Sequence, residues 1–412
     1  MEWKEVDICQ LCDSVSETYK GNASEVVLIN TSDVLDGKCL NHEYVPNKKL
    51  KGQFKKTFRK GDILYSEIRP ANKRFCFVDF EPKDYIASTK LMVLRAHEDV
   101  DPQYLYQILR SNDTLAQLQM LAESRSGTFP QITYSELSNI MVSLPSQKAQ
   151  KNIVSILSSL DRKIELNNKI NADLEEMAQA IFKNWFVDFE PFKDGKFVDS
   201  ELGMIPEGWK VSQIADIPHI LETGKRPKGG AVEKGIPSVG AEHVKGMCAY
   251  DYSKTKYINC EFAAKLKTGK INGYELMIYK DGGKPGYFIP NFSIFGEGYP
   301  FENCYLNEHV FKLDFDGNKE FNIFCYFFFK TEQIMSYFNA QGAKAAIPGI
   351  NKKDVENIYI FSPDNESVIK FGEFAYPLFK QMLKNAIENR TLSTLRDTLL
   401  PRLMSGELEV PE

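Results

Sequence analysis

Residues 153–185 read IVSILSSLDRKIELNNKINADLEEMAQAIFKNW, and the spacing of their apolar residues decides the fold. Ile153, Leu157, Leu160, Ile164, Asn167, Asn171, Leu174, Ala178, Ile181 and Trp185 follow alternating steps of four and three without a break. A stripe that returns every seven residues keeps facing one partner helix, so the spacing predicts the seam of a coiled coil. Asn167 and Asn171 interrupt that stripe at its middle. A buried amide left unpaired costs about 1–3 kcal/mol, so a partner must bring polar groups to the same level.

The partner lies further along the same chain. Shifted by 218 residues, Pro130 lands on Pro348, Ile132 on Ile350, Asn139-Ile140 on Asn357-Ile358 and Pro145 on Pro363. Without a gap, Leu160 then lands on Leu378, Asn167 on Asn385, Asn171 on Asn389 and Leu174 on Leu392. Such self-similarity signals an internal repeat. The second seam runs Leu378, Met382, Asn385, Asn389, Leu392, Arg396, Leu399, Leu403. Antiparallel pairing sets Asn167 against Asn389 and Asn171 against Asn385. It also sets Ile164 against Leu392, Leu174 against Met382 and Leu157 against Leu399. The four asparagines can then bond one another and fix the register. Pro377 is expected in the first turn of the second helix, where a missing N–H costs nothing. Pro401 is expected to kink or end it. The alternative is two long helices that each pack only on their own domain.

Outward from the helices the order is domain, helix, domain, helix. Residues 1–146 form the first domain, 147–190 the central helix, 191–362 the second domain and 363–412 the C-terminal helix. The expected fold is mixed α/β of the α+β kind, duplicated about an approximate two-fold axis. Strand-like pieces at 25–30, 61–66 and 90–94 precede a helical stretch at Pro102 to Leu121. In the second domain Trp209-Lys210 answers Trp3-Lys4, Gly273 to Ile278 answers Gly61 to Ser66, and Val310 to Leu313 answers Leu91 to Leu94. Ile323 to Met335 takes the place of the first domain's helix. The seam from Ile153 to Trp185 covers 33 residues, roughly 50 Å, about 14 or 15 base pairs of B-DNA.

The chain has 412 residues, with 43% hydrophobic and 26% charged, as in ordinary globular proteins. Its start is polar and its longest apolar run, Phe321 to Phe329, is too short to cross a bilayer, so no membrane contact and a cytoplasmic location are expected. Eight scattered cysteines make no disulfide framework, and the single CxxC at Cys9 and Cys12 lacks a second ligand pair, so no metal is expected. The formal charge of −5 does not by itself point to nucleic acid. Its distribution says more: Lys48, Lys49, Lys51, Lys55, Lys56, Arg59 and Lys60 form a run without an acidic residue.

The order of parts, the stretches Ser146-Gln147-Lys148 and Phe182-Lys183-Asn184-Trp185-Phe186, the re-entry Leu202-Gly203-Met204-Ile205-Pro206-Glu207-Gly208-Trp209 and the ending Leu400-Pro401-Arg402-Leu403-Met404-Ser405-Gly406 together resemble the specificity subunit of type I restriction–modification systems. The resemblance covers the chain nearly end to end. It implies two target recognition domains, each reading half of a bipartite site in double-stranded DNA, with the helices as ruler and dock. It further implies two modification (methyltransferase) subunits that carry S-adenosylmethionine and methylate adenine, and restriction subunits that use ATP and Mg. Without those partners the chain is expected alone or self-associated. One departure stands out: Pro377 and Arg396 replace Ser159 and Ala178 of the first copy.

No catalytic residue and no cofactor of its own are expected. The chain lacks an Asp/Asn-Pro-Pro-aromatic motif, Gly282-Gly283-Lys284 lacks the frame of a phosphate loop, and the five histidines are isolated. Lysines grip phosphate, whereas arginine and glutamine can present paired groups to a base edge. Lys48, Lys49, Lys55, Lys56 and Arg59 are therefore candidates for phosphate grip in the first domain. Arg69, Arg74, Arg125 and Gln131 are its candidates for base edges. In the second domain the candidates are Lys225, Arg226, Lys228, Lys280, Lys284 and Lys344. A protein-binding scaffold and a stand-alone nuclease or methyltransferase are the competing readings. The scaffold predicts no salt dependence of duplex binding, and the enzyme needs motifs the chain lacks.

Overall fold

The computed structural model describes residues 3–47, 52–124, 130–282, 286–344 and 347–410. They form two compact units: Met1–Arg162 with Leu392–Glu412, and Lys163–Thr391. The division runs through both long helices, Gln147–Phe186 and Glu366–Met404. Each unit thus holds one domain and an arm of each helix.

In the first unit an antiparallel sheet runs Cys12–Val15, Leu91–Ala96, Ile63–Ser66, Phe75–Phe77. A second sheet orders Val45–Pro46, Glu25–Ile29, Tyr85–Ser88 and Phe54–Lys56, its middle pair parallel. Val27, Ile29, Leu64 and Val93 fill the space between the two sheets. The other face of the first sheet meets the helices Pro102–Arg110 and Asn112–Glu123 over a core containing Tyr104, Leu105 and Leu118. Ile153, Leu157, Leu400 and Leu403 from the two long helices enter that same core. Each fully buried aliphatic side chain of this kind contributes about 1.5–3 kcal/mol.

The second unit repeats the plan with a five-stranded sheet: Ile220–Thr223, Val310–Asp314, Leu276–Tyr279, Phe292–Ile294, Gly246–Met247. The apolar run proves to be a core helix, Lys319–Phe329, buried from Phe321 to Phe329. Its N-cap Asn318 accepts from the Phe321 amide, and Asn322 binds Asp314, so its polar groups are satisfied inside the domain. No described helix is long and apolar enough to cross a membrane.

The duplication extends to single hydrogen bonds. Val6 pairs with Val142, joining the first domain's first and last strands, and Ser212 pairs with Ile360, joining Val211–Gln213 to the second domain's last strand in the same way. The Ile8 amide donates to the Ile140 carbonyl, and Ile214 to Ile358 in the second copy. Capping boxes at Thr133/Glu136 and Asn351/Asp354 open matching short helices, Tyr134–Ser138 and Lys352–Glu356.

Several expectations need correction. Ser66 pairs with Leu91 while Tyr279 pairs with Val310, so Tyr279, not Ile278, matches Ser66. The glycines misled: the place of Gly61 belongs to Tyr274, which adopts φ 72° beside Gly273. A one-residue slip matters because it exchanges the two faces of a strand. The stretch 102–121 is two helices, because Ser111 at ψ 146° breaks the first and caps the second through the Thr114 amide. Pro377 lies in the body of the C-terminal helix, which opens at Glu366 since Val368, Phe371 and Ala375 are already drawn into the core. The helix also runs one turn past Pro401 to Met404, held by buried Leu400 and Leu403.

Candidate nucleic-acid interface and its helical frame

In the second unit the two long helices run antiparallel and meet through their asparagines. Asn167 Nδ2 donates to Asn389 Oδ1 at 2.9 Å, and Asn385 Nδ2 to Asn171 Oδ1 at 2.8 Å. Asn171 Nδ2 also reaches the Met382 carbonyl, and Asn389 Nδ2 reaches Asn168. Asn167 is fully buried, and its remaining capacity is met by Glu388 and Lys163, which bridge each other at 3.2 Å. Those two hydrogen bonds hold the Glu388 carboxyl below its ordinary range. Leu174 and Met382 flank this centre in the second unit's core. Ile164 and Leu392 are each half-buried.

Each domain also carries a loop crossing that the repeat reproduces. The Arg69 amide donates to the Pro130 carbonyl at 3.1 Å and the Ile132 amide to the Glu67 carbonyl at 2.8 Å. In the second domain the Gly282 amide donates to Pro348 at 2.9 Å and the Ile350 amide to Lys280 at 2.8 Å. A turn following a central strand is thereby tied to the segment entering the short helix. The first crossing brings exposed Arg69 beside half-buried Gln131, through the bridge between Ile68 and Gln131. Arg69 sits at φ 46°, in the left-handed region just ahead of Pro70.

The second crossing gathers more charge. Lys280 Nζ donates to the Glu308 carbonyl at 3.0 Å and lies 3.0 Å from Asp281. His309 bonds both Asp281 and Glu308, and Arg226 approaches Glu308 at 3.7 Å. Burial opposes ionisation of Asp281, but hydrogen bonds from His309 and Lys280 outweigh it and hold the carboxyl below its ordinary range. Lys225 and Lys228 are exposed on the turn closed by the Gly230 amide and the Pro227 carbonyl. Lys344 is exposed and bonds Gln341.

Other candidates are engaged elsewhere. Arg74 Nη1 donates to the carbonyls of Ser32 and Val34 and anchors that loop. Lys56 gives its ammonium to the Leu91 carbonyl, and burial pushes it below its ordinary value. The described part of the basic run includes the strand Phe54–Lys56, whose outer side is covered by the segment Glu17–Tyr19 through the Tyr19 amide to the Lys55 carbonyl and the Thr57 amide to the Glu17 carbonyl, and the Lys55 side chain is exposed. Arg59 is exposed. Lys48, Lys49, Arg125 and Lys284 lie outside the described residues. The sequence reading missed Tyr287 and Ile347, which are 61% and 73% exposed next to the second crossing. A bulky apolar residue beside a Pro-Gly pair in the sequence was the available signal.

Residues 2–176 match the family described as type I restriction modification DNA specificity domain. The specificity subunit of the type I restriction enzyme HindI from Haemophilus influenzae is 33% identical over 99% of this chain and 100% of its own length. The MjaIX specificity subunit of Methanocaldococcus jannaschii is 29% identical over 90% of this chain and 85% of its own. Among solved structures, the S subunit of a type I restriction–modification system from M. genitalium aligns over 100% of this chain and 97% of its own, with TM-score 0.54 at 15% identity.

Proposed function

The chain belongs to the specificity subunits of type I restriction enzymes, and on that premise we propose how it recognises DNA for a restriction–modification complex. Each domain reads one half of a bipartite target, and the paired helices set the unspecific spacer while docking two modification subunits. Those subunits carry S-adenosylmethionine and methylate adenine. Restriction subunits, with ATP and Mg, cleave. This chain contributes recognition and no active site.

The observation that carries the reading is the repeated loop crossing. Two divergent domains keep the same hydrogen-bonded pair of loops while changing the side chains mounted on it: Arg69 and Gln131 in one, Lys280 and Asp281 in the other, where Arg226 approaches the neighbouring Glu308. Constant backbone with variable polar side chains is what reading two different half-sites requires. Lys55, Arg59, Lys225 and Lys228 serve phosphate, and their contribution falls with salt.

Methylation profiling of a host with and without this gene tests the proposal. A two-part adenine-methylated motif present only with the gene supports it. An unchanged methylome in a host that carries the modification subunit contradicts it.

A further inference from the structure

In each unit the domain is clasped to the central helix by a basic residue that the repeat keeps, bound to a carboxylate whose position the repeat does not predict. In the first unit Arg110, the last residue of Pro102–Arg110, donates to Asp161 Oδ2 at 2.9 Å. Asp161 Oδ1 takes Arg396 of the C-terminal helix at 2.8 Å, and Arg396 also bonds Asp397. One carboxylate thus joins three elements: a domain helix, the central helix and the C-terminal helix. The three side chains are only 11%, 26% and 20% exposed for Arg110, Asp161 and Arg396. Arg110 is further braced by Tyr106, whose ring centre lies 5.3 Å away.

The 218-residue offset carries Asp161 to Phe379 and Arg396 back to Ala178, both buried apolar residues of the second unit. There the domain's arm is the same, with Lys330 over the Tyr326 ring in the place of Arg110 over Tyr106, but the carboxylate comes from another level of the helix. Lys330, just past the end of Lys319–Phe329, reaches Glu175 of the central helix at 2.6 Å, together with the Tyr326 hydroxyl. Asp161 and Glu175 stand two heptads apart on one continuous helix.

The seam residues and the domains' basic arms therefore repeat, while the positions of the carboxylates they reach do not. Apolar seam packing tolerates small rotations of a domain about the helices, because dispersion and burial have no direction. A bidentate or two-partner carboxylate does not, since its hydrogen bonds fix angle as well as distance.

We propose that Asp161 and Glu175 are positioning residues: each fixes the angle at which its domain is held on the helix pair, and so narrows the spacer lengths the complex accepts. This inference rests on the function proposed above. The test is methylation by the full chain with its modification subunits, on duplexes carrying both half-sites with the spacer varied one base pair at a time. Asp161→Asn and Glu175→Gln are expected to keep both half-sites while the preference for the natural spacer over its neighbours narrows about tenfold. Asp161→Glu should restore most of that preference. If Asp161→Asn fails to fold, Arg110→Gln removes only the domain's arm and leaves Asp161 with Arg396. Unchanged spacer preference in the folded variants, with or without a uniform fall in rate, overturns the inference. Absence of any two-part methylation by the unmodified complex overturns the underlying reading instead.

Discussion

Asn167 donates its side-chain amide to Asn389 across the helix pair at 2.9 Å, in a site with no access to solvent on the Asn167 side. This contact fixes which turns of the two helices face each other. A slip by one heptad would bury an amide against leucine, at about 1–3 kcal/mol for each unsatisfied group.

Asn167→Ala should therefore lower the stability of the full chain by about 1–3 kcal/mol. Replacing Asn167 and Asn389 together by leucine should recover most of that loss, because no orphaned amide remains. Denaturant midpoints of the three proteins check both statements. Equal losses for the single and double variants would refute them.

The Asp161 junction predicts an asymmetry between its partners. Asp161→Ala leaves the largely buried Arg110 guanidinium without a carboxylate and Arg396 with Asp397 alone, and should cost about 3 kcal/mol. Arg396→Leu leaves Asp161 with Arg110 and should cost about 1 kcal/mol. Thermal unfolding of both variants measures the difference, and an Arg396→Leu loss equal to that of Asp161→Ala would be inconsistent with the shared carboxylate.

Asp281 supplies a pH-dependent contribution. Its carboxyl is held below its ordinary value of 3.8, so the stabilisation is fully present above that pH and is lost as pH falls below it. The stabilities of the unmodified chain and of Asp281→Asn should differ at neutral pH and converge towards pH 3. A constant gap down to that pH would show that the Asp281 charge is not the source.

Much of the frame was legible because seam geometry writes itself into spacing: the steps of four and three from Ile153 to Trp185 give the helix, the 218-residue repeat gives its partner, and the matched asparagines give the direction. The domains were less legible. Glycine identity suggested aligning Gly61 with Gly273, but backbone conformation, not residue type, is what the fold keeps, and Tyr274 holds the left-handed place. Arg396 looked like a defect in the seam, since its carboxylate partner, Asp161, lies 235 positions away in the sequence. Arg74 and Lys56 show the limit for candidate contacts. A basic residue beside a turn can spend its hydrogen bonds on loop carbonyls, and the sequence does not say which.

Phosphate grip and base reading should separate by their signatures. Lys225→Ala, Lys228→Ala and Arg59→Ala should each weaken binding to all duplexes alike and reduce the salt slope by about 1. Arg74→Ala should lower thermal stability without changing the target sequence. A relaxed target for Arg74→Ala, or an unchanged salt slope for the lysine variants, would reverse those roles.

The central claim is that two separate loop crossings read two separate half-sites. Genome-wide adenine methylation in hosts carrying the unmodified gene, Arg69→Ala or Lys280→Ala tests it most directly. The account predicts a two-part motif in which Arg69→Ala relaxes positions in one part only and Lys280→Ala in the other only. A contiguous motif, or relaxation of the same part by both variants, would contradict it.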